Sequence, residues 1–357
     1  MNLKTIGWTP AWANAFAAAS EPGWIPARVV REHRGAYALA SETGECLAEV
    51  SGRLRHRASS RRDFPAVGDW VAAEDPDSSS RAIIQVLLPR HSAFVRRAAG
   101  KRSEDQVVAA NVDRVFLVSG LDHDFNLRRM ERYLTLAYES GADPVVVLNK
   151  SDVHSDPQQA KREAEGLADG VPVLVVSAAT EAGLDGLREV LRPGMTGALL
   201  GSSGVGKSTI VNELLGRQAL RAAAVREDDS KGRHVTTHRE LIALPGGAVL
   251  IDTPGMRELQ LRADDNSLSR SFDDIARLAQ ACRFRDCSHT GEPGCAVQAA
   301  LADGDLDTAR YESYLRQRKE IRHHQIEQDV RLQIEEKKRW KTIYRSLRHH
   351  HKRGDQG

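Results

Sequence analysis

The sequence predicts a multidomain α/β protein: a small N-terminal β-barrel, a mostly parallel sheet covered by helices, and a cysteine-bearing C-terminal module that runs into helix. Three observations carry that prediction. The chain has 357 residues, too many for one typical core. Near Val107 the apolar pattern changes from short, turn-bounded runs to long runs alternating with helical stretches. Three of the four cysteines (Cys282, Cys287 and Cys295) crowd together beside His289.

Composition narrows the classes. The chain is 41% hydrophobic and 28% charged, and no apolar run approaches the ~20 residues that span a bilayer. The start, MNLKTIGWTPAWANAFAAAS, contains Trp8, Pro10 and Asn14 and lacks a basic head. Residues 1–22 therefore read as an N-terminal extension rather than a signal peptide. Clustered cysteines suit a metal site in a reducing cytoplasm better than a disulfide framework. The net charge of +2 is unevenly spread. Residues 22–102 hold 14 Lys and Arg against 9 Asp and Glu, residues 103–309 hold 22 against 32, and residues 310–357 hold 14 against 7. Basic ends flanking an acidic middle suggest contact with a polyanion.

Residues 23–100 hold five candidate strands: IPARVV, AYALA, CLAEVSG, DWVAAE and AIIQVLL. Five short strands separated by glycine and proline suggest a closed barrel, of the OB type or an SH3-like one. Five arginines (Arg53, Arg55, Arg57, Arg61 and Arg62) gather around one apparent loop of it. Over residues 101–272, VDRVFLVSG, PVVVLNKSD, VPVLVVSAAT, TGALLGSSG and GAVLIDTPG are apolar runs ending in small or polar residues. Such runs alternating with helices form parallel sheets covered on both faces, which bind ligands beyond their carboxyl edge. Residues 273–357 carry the cysteines, then a charged helical stretch and a basic tail.

Each of the last four runs delivers a motif. GSSGVGKST spans Gly201, Ser202, Ser203, Gly204, Val205, Gly206, Lys207, Ser208 and Thr209. Its glycines let backbone N–H groups turn inward around phosphate oxygens, Lys207 reaches the β- and γ-phosphates, and Ser208 ligates Mg²⁺. DTPG places Asp252 for Mg²⁺ through water and the Gly255 N–H for the γ-phosphate. LIALPGGAVLI before it reads as a hairpin turning at Pro245-Gly246-Gly247. In KGRHVTTHRE, Thr237, with Thr236 close behind, is the candidate to complete the Mg²⁺ shell. NKSD (Asn149, Lys150, Ser151 and Asp152) has the residues to read guanine: the Asp carboxylate accepts from N1–H and the exocyclic amine, and the Lys stem packs along the purine. In SAAT, Ser177 and Ala178 end a strand, and the Ala178 N–H faces the purine oxygen. Met256 stands where Ras-like enzymes keep a water-orienting glutamine, which leaves His234 as the nearest substitute. Cys282, Cys287, His289 and Cys295 make a three-thiolate, one-imidazole set, enough for one closed tetrahedral structural Zn²⁺.

The order is base, base, phosphate, switch, Mg²⁺, a rotation of the usual one. On NKSD, SAAT, GSSGVGKST, the GRH-x-TTH stretch, DTPGMRE and the cysteine cluster, the chain resembles the circularly permuted, small-subunit-dependent GTPases of the RsgA (YjeQ, YloQ) type over nearly its whole length. The resemblance implies an N-terminal OB-fold barrel, a circularly permuted P-loop GTPase core and a C-terminal zinc-binding helical domain. It also implies GTP and GDP as ligands, with the 30S ribosomal subunit and its 16S rRNA as partners of a cytoplasmic monomer that acts late in 30S maturation. A nucleotide-gated RNA-binding module with incidental hydrolysis would carry the same motifs.

Overall fold

The computed structural model describes residues 2–33, 35–74, 81–97, 105–167, 169–216, 239–252, 261 and 264–328. The chain divides into two compact units, Met1–Gln260 and Leu261–Gly357.

The first unit starts with helix α1 (Pro10–Ala19), capped by the Thr9 hydroxyl, which accepts from Trp12 N, with Pro10 at a position that needs no N–H. The N-terminal segment is docked rather than loose: Trp8 and Trp12 lie 4.7 and 6.2 Å from the fully buried Trp70 ring. All five expected barrel runs are strands: β1 (Trp24–His33), β2 (Ala36–Ser41), β3 (Gly44–Val50), β4 (Trp70–Glu74) and β5 (Ala82–Leu87), with α2 (Gly52–Arg57) between β3 and β4. They close in the order β1-β2-β3-β5-β4-β1, with β3 and β5 parallel. That closure, with a helix between the third and fourth strands, is the OB arrangement and removes the SH3-like alternative. Small and branched residues fill the narrow interior: Ala27, Val29, Leu39, Val71 and Ile84. Two strands escape the sequence pattern, β6 (Ala93–Arg97) and β7 (Asp105–Ala110), which pair with each other.

Next come β8 (Arg114–Gly120), α3 (Leu127–Ser140), β9 (Asp143–Asn149), α4 (Pro157–Leu167), β10 (Val173–Val175), α5 (Leu184–Val190), β11 (Thr196–Leu200), α6 (Lys207–Leu215), β12 (Glu240–Ala243) and β13 (Val249–Asp252). The strands order as β10-β9-β8-β11-β13-β12, parallel except for β12. Val145 through Leu148 of β9 are all fully buried, as a strand covered on both faces requires. The expected hairpin forms, with Gly247 at φ 79° in the turn between β12 and β13.

One feature of this unit has no local signature in the sequence. β12 also pairs with β1, through Arg31 opposite Glu240, so barrel and core share one eleven-stranded sheet. Beside that seam Arg28 is fully buried. It lies 5.3 Å from the Trp70 ring and donates to Ile6 O, to Gly68 O at 3.2 Å and to Thr196 Oγ1 at 2.7 Å. Burial pulls its guanidinium down to about 10, which leaves it charged at neutral pH.

The second unit contains α7 (Asp265–Ser271), α8 (Asp273–Ala279), α9 (Ala296–Asp303) and α10 (Thr308–Gln328). Phe272 is its buried centre, edge-on to Tyr314 at 5.6 Å and covered by Arg310 at 4.9 Å. Arg310 is held by two hydrogen bonds to Asp274, at 2.6 and 2.8 Å. No helix among the described residues is long and apolar enough to cross a membrane.

Candidate functional site

Four of the expected motifs end strands at one edge of the core sheet. β11 runs into the phosphate-type loop and then α6, whose N-cap Gly206 has φ 95°. Glycine is required there by contact as well as by conformation. A Cβ on Gly206 would lie 2.3 Å from Asn149 Nδ2, and one on Gly201 would lie 2.3 Å from Val118 O. Ser203 and Gly204 are exposed at the tip, and Val205 is buried beneath it. Lys207 Nζ donates to Gly201 O at 2.6 Å and Ser202 O at 2.5 Å, bending back over its own loop. Ser208 and Thr209 follow on the first turn of α6, half-buried.

Asn149 ends β9 and joins three loops. Its Nδ2 donates to Val205 O at 2.8 Å, and its Oδ1 accepts from Ala178 N at 3.0 Å. The Ala178 N–H expected to face a purine oxygen is thus engaged inside the protein. Lys150 takes the left-handed conformation, φ 65°, and its ammonium meets Asp122 Oδ2 at 2.5 Å. Ser151 opens a short 3-10 turn that exposes Asp152, whose Oδ1 accepts from Ser177 Oγ at 2.6 Å. Asp252 closes β13, next to β11. Thr236, Thr237, His234, Gly255 and Met256 lie outside the described residues.

The loop after β8 contributes residues that sequence reading missed. Asn126 caps α3 by accepting from Arg129 N at 3.0 Å. Arg129 Nη1 donates to Ser202 Oγ at 2.7 Å and also pairs with Asp124. The Asp124 N–H donates to Asp122 Oδ1 at 3.0 Å. Burial opposes ionisation of Asp122, yet the Lys150 hydrogen bond and the Asp124 N–H hold its carboxyl below the usual range. A polar chain therefore runs from the phosphate loop through Arg129, Asp124 and Asp122 to Lys150. The only trace of it in the sequence is the charge density of LDHDFNLRR.

In the second unit, Cys282, Cys287, His289 and Cys295 bring one ligand atom each within 4.8 Å of the others. His289 Nδ1 lies 3.6 and 3.5 Å from the Cys282 and Cys295 sulfurs, which are 3.8 Å apart. A tetrahedral zinc with ~2.3 Å sulfur bonds and ~2.0 Å nitrogen bonds separates its ligands by about 3.5–3.8 Å, the spacing of Cys282, His289 and Cys295, with Cys287 within 4.8 Å of them. His289 adopts φ 63°, and its carbonyl accepts from Gln298 and Tyr311, which hold that left-handed backbone in place. The cluster is able to hold a metal ion.

Comparison with known proteins agrees with this arrangement. A family profile described as RsgA GTPase matches residues 87–262, and one described as 50S ribosome-binding GTPase matches residues 196–341. The small ribosomal subunit biogenesis GTPase RsgA of Opitutus terrae is 48% identical, covering 98% of this chain and 97% of its own. The protein of the same name from Syntrophotalea carbinolica is 44% identical, over 97% and 96%. The crystal structure of YjeQ from Thermotoga maritima superposes with a TM-score of 0.64 at 27% identity, covering 84% of this chain and 98% of that one. YloQ, described as a circularly permuted GTPase, gives 0.60 at 23% identity, over 85% and 97%, and speaks for the fold. At this identity and coverage the chain belongs to the RsgA GTPase family, with an OB barrel, a circularly permuted P-loop core and a C-terminal module whose cysteine cluster is able to hold a metal ion.

Proposed function

We propose that this protein hydrolyses GTP as a maturation factor of the small ribosomal subunit, bound to that particle and activated by it. The observation that carries the proposal is Asn149, which ties the base-reading loops to the phosphate loop at one sheet edge. In this reading Gly201 to Gly206 wrap the phosphates with their N–H groups, as a loop opening a helix does. Lys207 exchanges its own loop carbonyls for the β- and γ-phosphate oxygens. Ser208 and Thr237 supply hard oxygen ligands to Mg²⁺, with Asp252 acting through water and the Gly255 N–H on the γ-phosphate. The ion supplies charge neutralisation to the transferring phosphoryl group.

Asp152, steadied by Ser177, accepts from the guanine N1–H and amine, and Lys150 covers the purine face. The Ala178 N–H reaches the purine oxygen by giving up or sharing its bond to Asn149. His234 orients the attacking water, a task that Met256 is chemically unable to perform. The cysteine cluster holds one structural zinc, since four protein ligands leave no open position.

The work divides along the chain after an N-terminal extension over residues 1–22: an RNA-facing barrel over residues 23–100, the GTPase core over 101–272, and a zinc and helical module over 273–357. The basic ends of the chain meet 16S rRNA phosphates. Such a factor works as a monomer in the cytoplasm.

GTP turnover measured alone, with 30S and with 50S subunits, at low and moderate salt, tests the proposal. Stimulation by 30S alone, weakening as salt rises, is expected. Equal turnover in all three overturns it and leaves an RNA-binding module with incidental hydrolysis. His234→Ala is expected to keep GTP affinity and lose stimulated turnover, and an unchanged stimulated kcat removes that role.

A further inference from the structure

Away from the nucleotide edge, barrel residues and β7 line an open cavity of about 280 Å³. Tyr37 of β2 and Phe64 supply aromatic surface, Arg55 of α2 and Arg61 supply positive charge, and Glu32 of β1 and Gln106 of β7 supply polar groups. The size lies below the ~300–1,000 Å³ of drug-sized ligand sites, enough for one base with its sugar and too small for a duplex.

The polar groups are oriented. Glu32 Oε1 accepts from Gln106 Nε2 at 3.2 Å, and its Oε2 accepts from Arg239 Nη1 at 2.8 Å. Burial, then the Glu32 charge, pushes the Tyr37 phenol up to about 12, while Arg55 and Arg61 pull the other way. Both guanidinium groups therefore lie within electrostatic reach of that hydroxyl, which stays a neutral donor. The same helix and turn present Arg53, Arg57 and Arg62 exposed, with Arg53 3.4 Å from Glu21 and Arg62 3.9 Å from Asp105. A strand leaving the cavity meets further positive charge.

We propose that this cavity receives one unpaired RNA nucleotide, its base against Tyr37 and Phe64 and its phosphate at Arg55 and Arg61. Proteins that recognise single-stranded RNA combine base stacking on aromatic rings or guanidinium planes with contacts to the base edges, and they track the backbone with positive charge. The Glu32 carboxylate only accepts, so it can take either an exocyclic amine or the uracil N3–H, and preference among bases comes from stacking on Tyr37 and Phe64, which is strongest for a purine. An acidic peptide would meet that carboxylate and gain little from two aromatic rings. The inference rests on the proposed RNA-facing role of the barrel and names the residues that perform it.

Fluorescence anisotropy of labelled ten-nucleotide rA, rC and rU oligomers with the full chain tests it, with GTP affinity as the check on folding. The rA oligomer is expected to bind at least about fivefold tighter than rU, with rC between them. Arg55→Glu is expected to weaken rC binding tenfold or more, and Phe64→Ala about fivefold with an unchanged salt slope. Tyr37→Phe should retain most of the affinity. Wild-type-like binding by both Arg55→Glu and Phe64→Ala overturns the proposal, as does displacement of the oligomer by AMP or polyglutamate at equal nucleotide or residue concentration. Absence of any RNA binding by the unaltered chain overturns the RNA-facing barrel itself, while 30S-stimulated turnover reports separately on the GTPase reading.

Discussion

The two compact units reach order by different physical means. In Met1–Gln260, backbone pairing runs without interruption from β10 at one end of the sheet to the closed barrel at the other, and a buried arginine crosses the seam. Among the described residues of Leu261–Gly357, four helices of between 7 and 21 residues form, with Phe272 buried against α10, and a stretch without regular structure is gathered by Cys282, Cys287, His289 and Cys295. A sheet distributes its stability over many hydrogen bonds and buried methyl groups, so single losses are absorbed. A four-ligand cluster concentrates it in one place. The comparison teaches that the nucleotide site stands on the redundant part of the molecule and the cysteine cluster on the fragile part.

Metal removal should expose that difference most strongly. Structural zinc contributes roughly 10–16 kcal/mol in small zinc modules, because the ligands are gathered only when the metal is bound. Cys295→Ser, or a strong chelator, is expected to release one metal per chain and to remove helical signal from the second unit. GTP affinity should stay within about twofold, since every base and phosphate contact described above lies in the first unit. Loss of nucleotide binding alongside the metal would mean that the first unit depends on the second after all.

Next in size is Arg28→Met. It leaves Ile6 O and Thr196 Oγ1 without their donor in a buried setting, while Gly68 O keeps its bond from Asn111 Nδ2 at 3.2 Å. Unsatisfied buried groups cost about 1–3 kcal/mol each, so a loss of roughly 2–4 kcal/mol is expected after partial relaxation. Differential scanning calorimetry should show the first unit melting lower with metal content unchanged. A small loss would mean that sheet continuity alone carries the seam, since methionine fills much of the volume of the arginine stem.

Local physics explains what was legible before the structure. The five barrel strands and the hairpin at Gly247 follow from short-range apolar patterning and turn residues, and the four motif-bearing runs from the signature of covered strands. The pairing of β1 with β12 joins residues about 210 positions apart through a single register, Arg31 with Glu240, and no local pattern encodes such a partner. The docking of Trp8 and Trp12 on Trp70 is hidden for the same reason. In the site, Asn149, Asp152 and Lys207 announce themselves by motif. Arg129 does not, because an arginine in a charged helix start reads as solvated charge until the fold brings Ser202 to it.

Asp152→Asn probes the redundant unit at its most specific point. The change swaps a carboxylate acceptor for an amide that presents a donor toward the guanine N1–H. Hydrogen bonds to charged groups contribute about 1.5–3 kcal/mol, so GTP affinity should fall on the order of 100-fold, with xanthosine triphosphate favoured instead. Competition binding with both nucleotides measures the exchange. Retained guanine preference would detach Asp152 from base reading, even though Ser177 holds its carboxylate at the ligand edge.

The smallest effect tests whether the core is as tolerant as its sheet implies. Arg129 touches the phosphate loop only from the side, through Ser202 Oγ, and its partner Asp124 leads on to Asp122 and Lys150. Removing one such hydrogen bond costs about 0.5–1.5 kcal/mol, so Arg129→Ala should weaken GTP binding roughly 3–10-fold. Ser202→Ala should do much the same, and the double variant should add little, because both remove one contact. An additive double variant would mean that the two act separately. If Arg129→Ala also loosens guanine selectivity, the polar chain through Asp122 couples phosphate and base loops, and the core holds a concentrated element of its own beside its distributed sheet.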